Sequence, residues 1–486
     1  MIKKYDVVVI GSGIGGLICA CYLAKFGLKV LIVEQNDKPG GCCSSFQRNG
    51  YKFDVGVHYF AGIKFGILGT ILDELKLRER ISFNRIDPTD KIVMPDNSVL
   101  IRSNIEDTIE EFIKSFPCEE KQIKIFFSSI FKEDFFSIYK KNKRLTFEGL
   151  LDSFFDDYRL KATLGVLLGN LGLSPKIAAS LPAIILLRKY LTDSGYYPCG
   201  GMQTFPNLLV KCFNENNGII VFSKRVKTVS AFERIKKIIL DNGQEVHADF
   251  VVSNGDASEF FKCILDKKSK ESEVVDKLTP ACSLFLAYLG ISNAEGESAI
   301  GSAIEWRIPT YDINTIFADI YSGSWCEGSN YLIFSSPALH DTELKNQTKK
   351  SLLVTTFAPY KSKLFWEENK DKIGNQVLSR IFILKPELRN AIETKFFATP
   401  ATLNRYTLNG NGSFVGWLSD LTQTKYAFLP QRTSIKGVYL VSHWCATGYS
   451  GQGGVSSVAF LGRRGAQLIM EDLQIKDYYF CRKISV

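Results

Sequence analysis

The sequence is poor in the residues that build most metal centres and hydrolytic sites. Its 486 residues include only 4 histidines, and its 12 cysteines form no Cys-x-x-Cys pair and no cysteine–histidine spacing suited to zinc. No Ser, His and Asp order and no paired carboxylates point to hydrolysis. We therefore expect no metal site, and reduced thiols in a cytoplasmic protein, with Cys19, Cys21 and Cys282 buried in apolar runs.

Long uninterrupted apolar segments are also absent. The most apolar region, 162–187, is broken by Asn170, Pro175, Lys176 and Pro182, so it lacks the roughly 18 consecutive apolar residues that a membrane span needs. This region predicts two short buried or interfacial helices instead. Few residues precede the first predicted strand, and we therefore expect no signal peptide.

A moderate excess of basic residues runs through the chain. There are 60 Lys and Arg against 51 Asp and Glu, a formal net charge of +9. Such a surface suits an anionic membrane face or simply solubility, and no recognition motif accompanies it, so no nucleic-acid partner is expected. The segment 121–145 predicts a basic helix that either lies on a membrane or packs an aromatic stripe inward. The stripe consists of Ile123, Phe127, Phe131, Phe135 and Ile138.

The chain opens with a dinucleotide-binding fingerprint in its expected setting. Gly11-Ser12-Gly13-Ile14-Gly15-Gly16 follows the apolar run 5–10 and begins a helical run that reaches Phe26. In such a turn the first glycine permits the sharp bend, the second lets the backbone approach a pyrophosphate, and the last lets helix and strand pack closely. Glu34 ends the next apolar run, where a carboxylate can accept both hydroxyls of a ribose and disfavours a 2′-phosphate. The predicted contacts of this unit are Gly11, Gly13, Ile14, Gly15, Gly16, Glu34 and Gln35.

Two further glycine-rich segments favour FAD over NAD. Pro39-Gly40-Gly41 would let a second loop lie close to a long cofactor. Near the end of the sequence, an apolar run at 437–442 precedes the glycine-rich segment 448–454 and a helical run at 458–470, which suits a flavin extending away from the first unit. These segments add Gly40, Gly41, Cys42, Gly451, Gly454 and Val455 to the predicted contacts. No second fingerprint follows a strand, so we expect no nicotinamide site and an electron partner that is oxygen, a quinone or a reductant.

Several short motifs are spread along most of the chain. They are the segment 6–59 with Phe53-Asp54-x-Gly56 and His58, then Tyr197-Pro198-Cys199-Gly200-Gly201-Met202, Val251-Val252-Ser253-Asn254, Thr399-Pro400, Arg405-Tyr406-Thr407, Gly412-Ser413, Gly451-Gln452-Gly453 and Val458-Ala459-Phe460-x-Gly462. Together they resemble the phytoene desaturase, carotenoid isomerase and retinol saturase group of FAD-dependent oxidoreductases. The resemblance implies adenine contacts near Val226 and a lipophilic polyene or isoprenoid substrate. His443-Trp444 departs from the acidic residue that the wider flavoprotein class often has after its last strand.

The predicted fold class is α/β, with a discontinuous Rossmann-like FAD-binding domain and an interleaved α+β substrate domain. No repeat, low-complexity tract or linker separates the two, so they are expected to alternate along the chain. The FAD-binding domain is expected in 1–75, 198–258 and 430–475, and the substrate domain in 76–197 and 259–429. Strands are predicted at 219–222, 249–253, 282–290 and 331–335, with a hairpin of 235–240 and 245–248.

A flavin exchanges hydride at N5 without a protein nucleophile, so few catalytic residues are expected. His58 and His443 fall in loops predicted to flank the flavin, where each either moves a proton or only hydrogen-bonds. Arg405 offers a cation for the flavin or for a polar substrate end, or else a structural pairing. His247 and His340 are expected on a surface strand and in a loop.

The same scaffold can desaturate, saturate or isomerise a polyene, and the sequence leaves these three reactions open. One alternative keeps FAD but acts on an amine or a porphyrinogen. An aromatic pair facing the flavin would favour this alternative, and Trp444 and Tyr449 are the candidates. A second alternative is a flavin-binding protein without turnover.

Overall fold

The computed structural model describes residues 3–231, 233–292, 294–325, 328, 330–341, 344, 348–424, 429–445 and 454–475. The strands are β1 (Lys3–Ile10), β2 (Val30–Val33), β3 (Ser45–Arg48), β4 (Tyr51–Asp54), β5 (Phe83–Ile86), β6 (Asp90–Val93), β7 (Ser98–Ile101), β8 (Gly195–Pro198), β9 (Ile219–Val221), β10 (Val226–Ser230), β11 (Lys236–Leu240), β12 (Glu245–Ser253), β13 (Ser283–Ile291), β14 (Ile304–Arg307), β15 (Leu332–Ser335), β16 (Lys350–Ala358), β17 (Ile392–Ala398) and β18 (Val438–Leu440).

The α-helices alternate with these strands. They are Ile14–Lys25, Ile67–Glu74, Ile105–Ser115, Glu120–Phe131, Phe135–Asn142, Phe147–Asp152, Tyr158–Gly165, Ser180–Thr192, Thr204–Glu215, Ala257–Glu259, Lys270–Val275, Ala294–Ser298, Ile313–Ser322, Lys363–Leu384, Pro400–Thr407, Leu421–Thr424 and Val455–Asp472. Within the described residues, no helix is both long enough and apolar enough to span a bilayer.

The first sheet is built around β1, whose apolar residues are buried on both faces. Its order is β10-β11-β12-β1-β2-β9, and β18 pairs with the end of β12. The strands β12, β1, β2, β9 and β18 run parallel, whereas β10 and β11 form an antiparallel hairpin extension of β12. Parallel strands covered by helices on both faces are the arrangement of a doubly wound α/β fold. The carboxyl ends of β1, β2 and β12 therefore meet at one edge.

The second sheet has the order β17-β13-β16-β15-β14-β6-β7. Its pairs are antiparallel except for β6 with β14. Helices between Ile105 and Thr192 contribute to the largest apolar core, together with Trp306, Tyr331 and Phe357 of this sheet. The two sheets draw alternately on the chain, and the domain boundaries given above remain our proposal for how it divides.

Two helices that pack against the first sheet cross each other at glycine residues. The first helix, Ile14–Lys25, packs against the C-terminal helix, Val455–Asp472. A Cβ atom on Gly462 would lie 2.3 Å from the carbonyl oxygen of Gly15, so only glycine permits this approach. Arg463, 3% exposed, forms two hydrogen bonds of 2.8 and 2.7 Å with the carboxylate of Glu74. The C-terminal helix is thus fixed against the glycine turn.

The predicted elements are largely present, including the two short helices of the most apolar region, and the structure differs from the prediction in two places, at 245–253 and at 121–145. The strands predicted at 245–248 and 249–253 are one strand, β12, because its whole length pairs with β1, from Lys3 opposite Val246 to Ile10 opposite Ser253. The most apolar region forms Tyr158–Gly165, a 3₁₀ segment at Val166–Leu171 and Ser180–Thr192. Both of these α-helices contribute residues to the core.

The basic segment 121–145 is not a single helix. It is divided into Glu120–Phe131 and Phe135–Asn142, because Asp134 accepts a hydrogen bond from the backbone N–H of Ser137 and thereby begins a new helix. Ile123, Phe127 and Ile138 are each no more than 2% exposed. Of the two alternatives stated for this stripe, inward packing is the one present.

Candidate functional site

A cavity of about 1070 Å³ lies at the carboxyl edge of the first sheet. Ligand pockets are typically roughly 300–1,000 Å³, so this cavity is large enough for a long ligand. The glycine turn, the end of β2 and the residue after β12, Asn254, line one side. Tyr288, Phe396 and Phe414 of the second sheet and its loops line the opposite side. The cavity therefore lies between the two sheets.

The glycine turn closes tightly under the first helix. Gly11 has φ of +93°, a conformation that other residues rarely adopt. A Cβ atom on Gly16 would lie 2.4 Å from the carbonyl oxygen of Gly11. Gly13 caps the helix without a side chain, so no side chain satisfies its first N–H groups. Gly11, Gly13, Ile14 and Gly15 all line the cavity, and these N–H groups and the positive end of the helix form an anion site there.

Glu34 lies at the end of β2, is 5% exposed and lines the cavity. Its Oε2 accepts hydrogen bonds of 2.7 Å each from the backbone N–H and the hydroxyl of Ser12. Its Oε1 accepts bonds of 2.8 and 3.0 Å from the backbone N–H and the side-chain amide of Asn36. A carboxylate has about four acceptor positions. A diol could therefore bind Glu34 only by displacing the two side-chain donors, which can rotate away.

The second glycine loop lies directly against the first. The backbone N–H of Gly40 donates to the carbonyl of Ser12 at 2.9 Å, and Gly40 has φ of +113°. Gly41 and Cys42 continue along the cavity wall. Burial raises the pKa of the Cys42 thiol, so this group is a neutral thiol and not a nucleophilic thiolate.

Val226 and Gln35 complete the part of the cavity near Glu34. Val226 begins β10 and is 2% exposed, and the neighbouring backbone N–H of Lys224 donates to the Glu34 carbonyl at 2.9 Å. The side chain of Gln35 donates to the Tyr406 carbonyl at 2.8 Å, and that of Asn36 donates to the same oxygen at 3.2 Å. The helix Pro400–Thr407 thus contacts the loop that carries Glu34.

Arg405 lies on this helix and is exposed, with its guanidinium 4.8 Å from the centre of the Tyr406 ring. It lines the cavity beside the Glu34 loop. Arg405 and His443 both line the cavity, whereas His58 is not among the lining residues. The three residues predicted as catalytic are therefore not one cluster.

His443 follows β18 and lines the cavity together with Gly454 and Val455 at the start of the C-terminal helix. Burial lowers the pKa of His443 to about 4, so its imidazole is neutral at physiological pH. Its Nε2 has no hydrogen-bond partner among the described residues. Gly451, predicted to contact the cofactor, lies outside the described residues.

His58 lies in the loop after β4 and is half-buried. Burial lowers its pKa to about 4. His340 lies in a loop, as expected, and is only 7% exposed because this loop packs on Tyr197, whose ring centre is 5.5 Å away. Burial, with a smaller contribution from His58, lowers the pKa of His340 to about 3. Both histidines are therefore neutral at physiological pH.

Sequence reasoning missed three side chains of this region. Ser12 and Asn36, which hold Glu34, lie inside or next to the fingerprint, so their positions gave a usable signal. Lys189 gave none, because its partner Ser457 is 268 residues away along the chain, with Nζ and Oγ 3.0 Å apart. Across the described residues, no group of three His, Cys, Asp or Glu side chains is arranged to hold a metal ion.

Comparison with known proteins identifies relatives along nearly the whole chain. The model of the NAD(P)-binding Rossmann-like domain matches residues 9–75. All-trans-retinol 13,14-reductase of Danio rerio is 26% identical over 90% of this chain and 82% of its own length. Prolycopene isomerase of Daucus carota is 26% identical over 98% and 81%, and phytoene desaturase (lycopene-forming) of Pseudescherichia vulneris is 24% identical over 96% and 99%.

The resemblance inferred from the sequence is confirmed. These three relatives represent the saturase, isomerase and desaturase branches. Their sequence identities to this chain are similar, from 24% to 26%. The comparison therefore supports the group without selecting one reaction within it.

Solved structures agree on the fold. A triple mutant of putrescine oxidase superposes with a TM-score of 0.69 at 14% identity, covering 97% of this chain and 99% of that one. An oxidoreductase from Methanosarcina mazei gives a TM-score of 0.67 at 17% identity, covering 96% and 100%. The predicted fold class, a Rossmann-like domain with an interleaved second domain, is confirmed.

Proposed function

We propose that this chain is an FAD-dependent oxidoreductase that acts on C–C or C=C bonds of a lipophilic polyene or isoprenoid, by desaturation, saturation or cis–trans isomerisation. The observation that carries the proposal is the single cavity that joins the glycine turn and Glu34 to an aromatic wall on the second sheet. The names of the relatives, which specify retinol, prolycopene and phytoene, support this substrate class.

The donors and acceptors of the cavity fit FAD. The glycine turn offers helix N–H groups that no side chain caps to a pyrophosphate, and Glu34 offers a carboxylate to a ribose once the side chains of Ser12 and Asn36 rotate. The same carboxylate would repel a 2′-phosphate. When bound, FAD supplies hydride exchange at flavin N5.

The protein's own part in the reaction is to exclude water and to hold the substrate. Tyr288, Phe396 and Phe414 line the side of the cavity opposite the glycine turn, and Tyr288 is fixed by a 2.7 Å hydrogen bond to the Val55 carbonyl. Apolar burial contributes about 25 cal/mol per Å², which favours a long hydrocarbon over a polar ligand. Neutral His443 lines the cavity wall and adds no charge there.

The amine or porphyrinogen alternative has less support. Trp444 is fully buried, its ring centre 4.6 Å from that of Trp417 and its Nε1 bonded to Asn409, so it does not face the cavity. Tyr449, the other member of the predicted pair, lies outside the described residues. Three further proposals rest on the sequence alone. The electron partner is oxygen, a quinone or a reductant, the protein acts at a membrane surface, and its location is cytoplasmic.

Anaerobic flavin spectroscopy tests the reaction. The holoprotein is mixed in turn with carotenoid precursors, retinoids and amines, while the visible absorption of the oxidised flavin is followed and the products are identified. Loss of absorption with a polyene precursor supports desaturation, and turnover only after chemical reduction supports saturation or isomerisation. Reduction by amines but by no isoprenoid would overturn the proposal in favour of the alternative.

A further inference from the structure

A partly buried lysine contacts the first turn of the C-terminal helix, which lines the cavity. Lys189 lies in the last turn of the helix Ser180–Thr192, and its Nζ donates a 3.0 Å hydrogen bond to Ser457 Oγ. Ser457 belongs to the first turn of the C-terminal helix, Val455–Asp472. Gly454, Val455 and Val458 of that same turn line the cavity. The ammonium group is therefore within one helical turn of the cavity wall.

This position is unfavourable for a cation in the protein alone. The start of a helix carries the positive end of its dipole, which repels an ammonium group. Desolvation acts in the same direction and lowers the pKa of Lys189 to about 8. Among the residues that the structure describes, no carboxylate pairs with Lys189. The position therefore lacks a counter-charge.

The acidic groups of this junction are engaged elsewhere. Asp193, in the same part of the chain, accepts hydrogen bonds of 2.9 and 3.1 Å from the backbone N–H groups of Lys64 and Phe65. Asp90 accepts 2.8 Å bonds from the Tyr59 hydroxyl and from the Trp306 indole. The protein thus satisfies its buried carboxylates and leaves the lysine charge available to a ligand.

The loop 55–66 connects this lysine to the predicted flavin region. Ser456, next to Ser457, donates to the carbonyl of Ala61, three residues after His58. The first turn of the C-terminal helix is therefore held between Lys189 on one element and the His58 loop on another. The positive charge of Lys189 therefore acts electrostatically on a ligand that binds in the cavity at this helical turn.

We propose that Lys189 is a positioning residue that supplies the counter-charge for the flavin, acting through the first turn of the C-terminal helix. The inference rests on the proposed function. With FAD bound, transfer of a hydride from a substrate carbon to the flavin, with loss of a proton from the adjacent substrate carbon, would form the new double bond and leave one more negative charge on the cofactor. Lys189 gives up no proton and would pair electrostatically with that charge; saturation would be the reverse sequence.

The sequence offers Arg405 as one candidate for the cation that stabilises charge on the flavin. Arg405 is exposed and its helix contacts Gln35 and Asn36, beside the carboxylate of Glu34. Lys189 instead adjoins Gly454 and Val455, the segment expected near the flavin. Arg405 itself lines the cavity and Lys189 does not, but of the two cations Lys189 is the one that contacts the C-terminal helix.

The test is the midpoint potential of bound flavin in holoprotein carrying Lys189→Met, Lys189→Gln, Lys189→Arg or the control Lys176→Met. Lys176 is exposed in the loop before the same helix, so its loss removes an equal charge at a distance. We expect Lys189→Met and Lys189→Gln to make the potential more negative, with the preference for reduced over oxidised flavin falling roughly ten-fold, as for loss of one charge-assisted interaction. Lys189→Arg and Lys176→Met should match the unaltered protein.

Lys189→Gln keeps a donor for Ser457 without the charge, so it decides the matter where Lys189→Met does not fold. An unchanged potential in Lys189→Gln that retains FAD would overturn the inference. The proposed function fails differently, since it fails when the unaltered protein binds no FAD or when no isoprenoid exchanges electrons with it.

Discussion

Gly462 and Gly15 meet where the C-terminal helix crosses the start of the first helix, and a Cβ on Gly462 would lie 2.3 Å from the Gly15 carbonyl oxygen. This contact joins residues 447 positions apart in the chain, and it places Gly454, Val455 and Val458 of the C-terminal helix beside Gly15 in the lining of the cavity. The glycine fingerprint depends on the last helix for its shape.

We expect Gly462→Ala to destabilise the protein by about 1–3 kcal/mol, since a methyl group forced against a backbone oxygen must move one of the helices. FAD affinity should fall with it, because the glycine turn moves too. Chemical denaturation and FAD titration measure the two effects. Gly56→Ala is the control for stability, as a Cβ there meets no atom within 4 Å. Equal stability of the two variants would contradict the close crossing.

Hydrogen bonds occupy all the acceptor positions of the Glu34 carboxylate in the structure. This determines how substitutions of Glu34 and of Asn36 should change the affinity for FAD. Glu34→Gln should weaken FAD binding roughly 10- to 100-fold, because it removes charge-assisted hydrogen bonds to a ribose. Asn36→Ala should leave FAD affinity unchanged or increase it, since the Asn36 amide competes with the ribose for Oε1. Isothermal titration with FAD measures both. Glu368→Gln, an exposed residue outside the cavity lining, is the control. A large loss of affinity in Asn36→Ala would show that the amide does not compete.

The neutral histidines predict an acid limit to stability. Burial lowers the pKa of His58 and His443 from 6.5 to about 4, so above pH 6.5 neither the folded nor the unfolded chain binds these protons. As the pH falls from 6.5 towards 4, the unfolded chain takes up the protons first, and the free energy of unfolding decreases by up to about 3 kcal/mol per histidine. Denaturation of the apoprotein at several pH values measures the slope.

His443→Asn should flatten this dependence by one histidine's share, and His247→Asn serves as control because it lies on β12 away from the cavity. Identical slopes in His443→Asn and the unaltered protein would mean that His443 is not buried as described.

Arg463 and Glu74 form a buried ion pair between the C-terminal helix and the helix Ile67–Glu74, with side chains 4% and 9% exposed. Arg463→Met should destabilise the protein by about 3–5 kcal/mol, because it leaves the Glu74 carboxylate buried without its cation. The double variant Arg463→Met, Glu74→Leu should recover much of that loss. A double-mutant cycle by urea denaturation checks this, and additive effects of the two changes would contradict a direct coupling.

Local patterns predicted the parts of the site that lie within one βαβ unit. The glycines, Glu34 and the second glycine loop are close in sequence, and the physics of a tight turn and of parallel strands fixes their positions. Local sequence also predicted the hairpin of 235–240 and 245–248, which turns near Gly243, and the apolar run at 437–442, which contains β18 in the structure. Here spacing alone was sufficient.

The rest of the site depends on contacts between distant segments. The Lys189 and Ser457 pair and the burial of Trp444 against Trp417 join residues that no local pattern relates. Arg405 was grouped with His58 and His443 by chemistry, yet its helix packs on the loop that carries Glu34. The helix break at Asp134 in the basic segment was not predicted for a different reason. The helical spacing of the aromatic residues continues past Asp134, so the spacing gives no sign that one helix ends and another begins there.

The central claim is that the first and last glycine segments together hold one FAD. The most direct measurement is the amount and affinity of flavin in purified protein, determined by absorption and by reconstitution of the apoprotein with FAD, FMN and NAD. The account predicts one FAD per chain, no comparable binding of FMN or NAD, and loss of FAD in Glu34→Lys but not in Glu368→Lys. Native protein that stays colourless after incubation with FAD, or that retains FAD in Glu34→Lys, would contradict it.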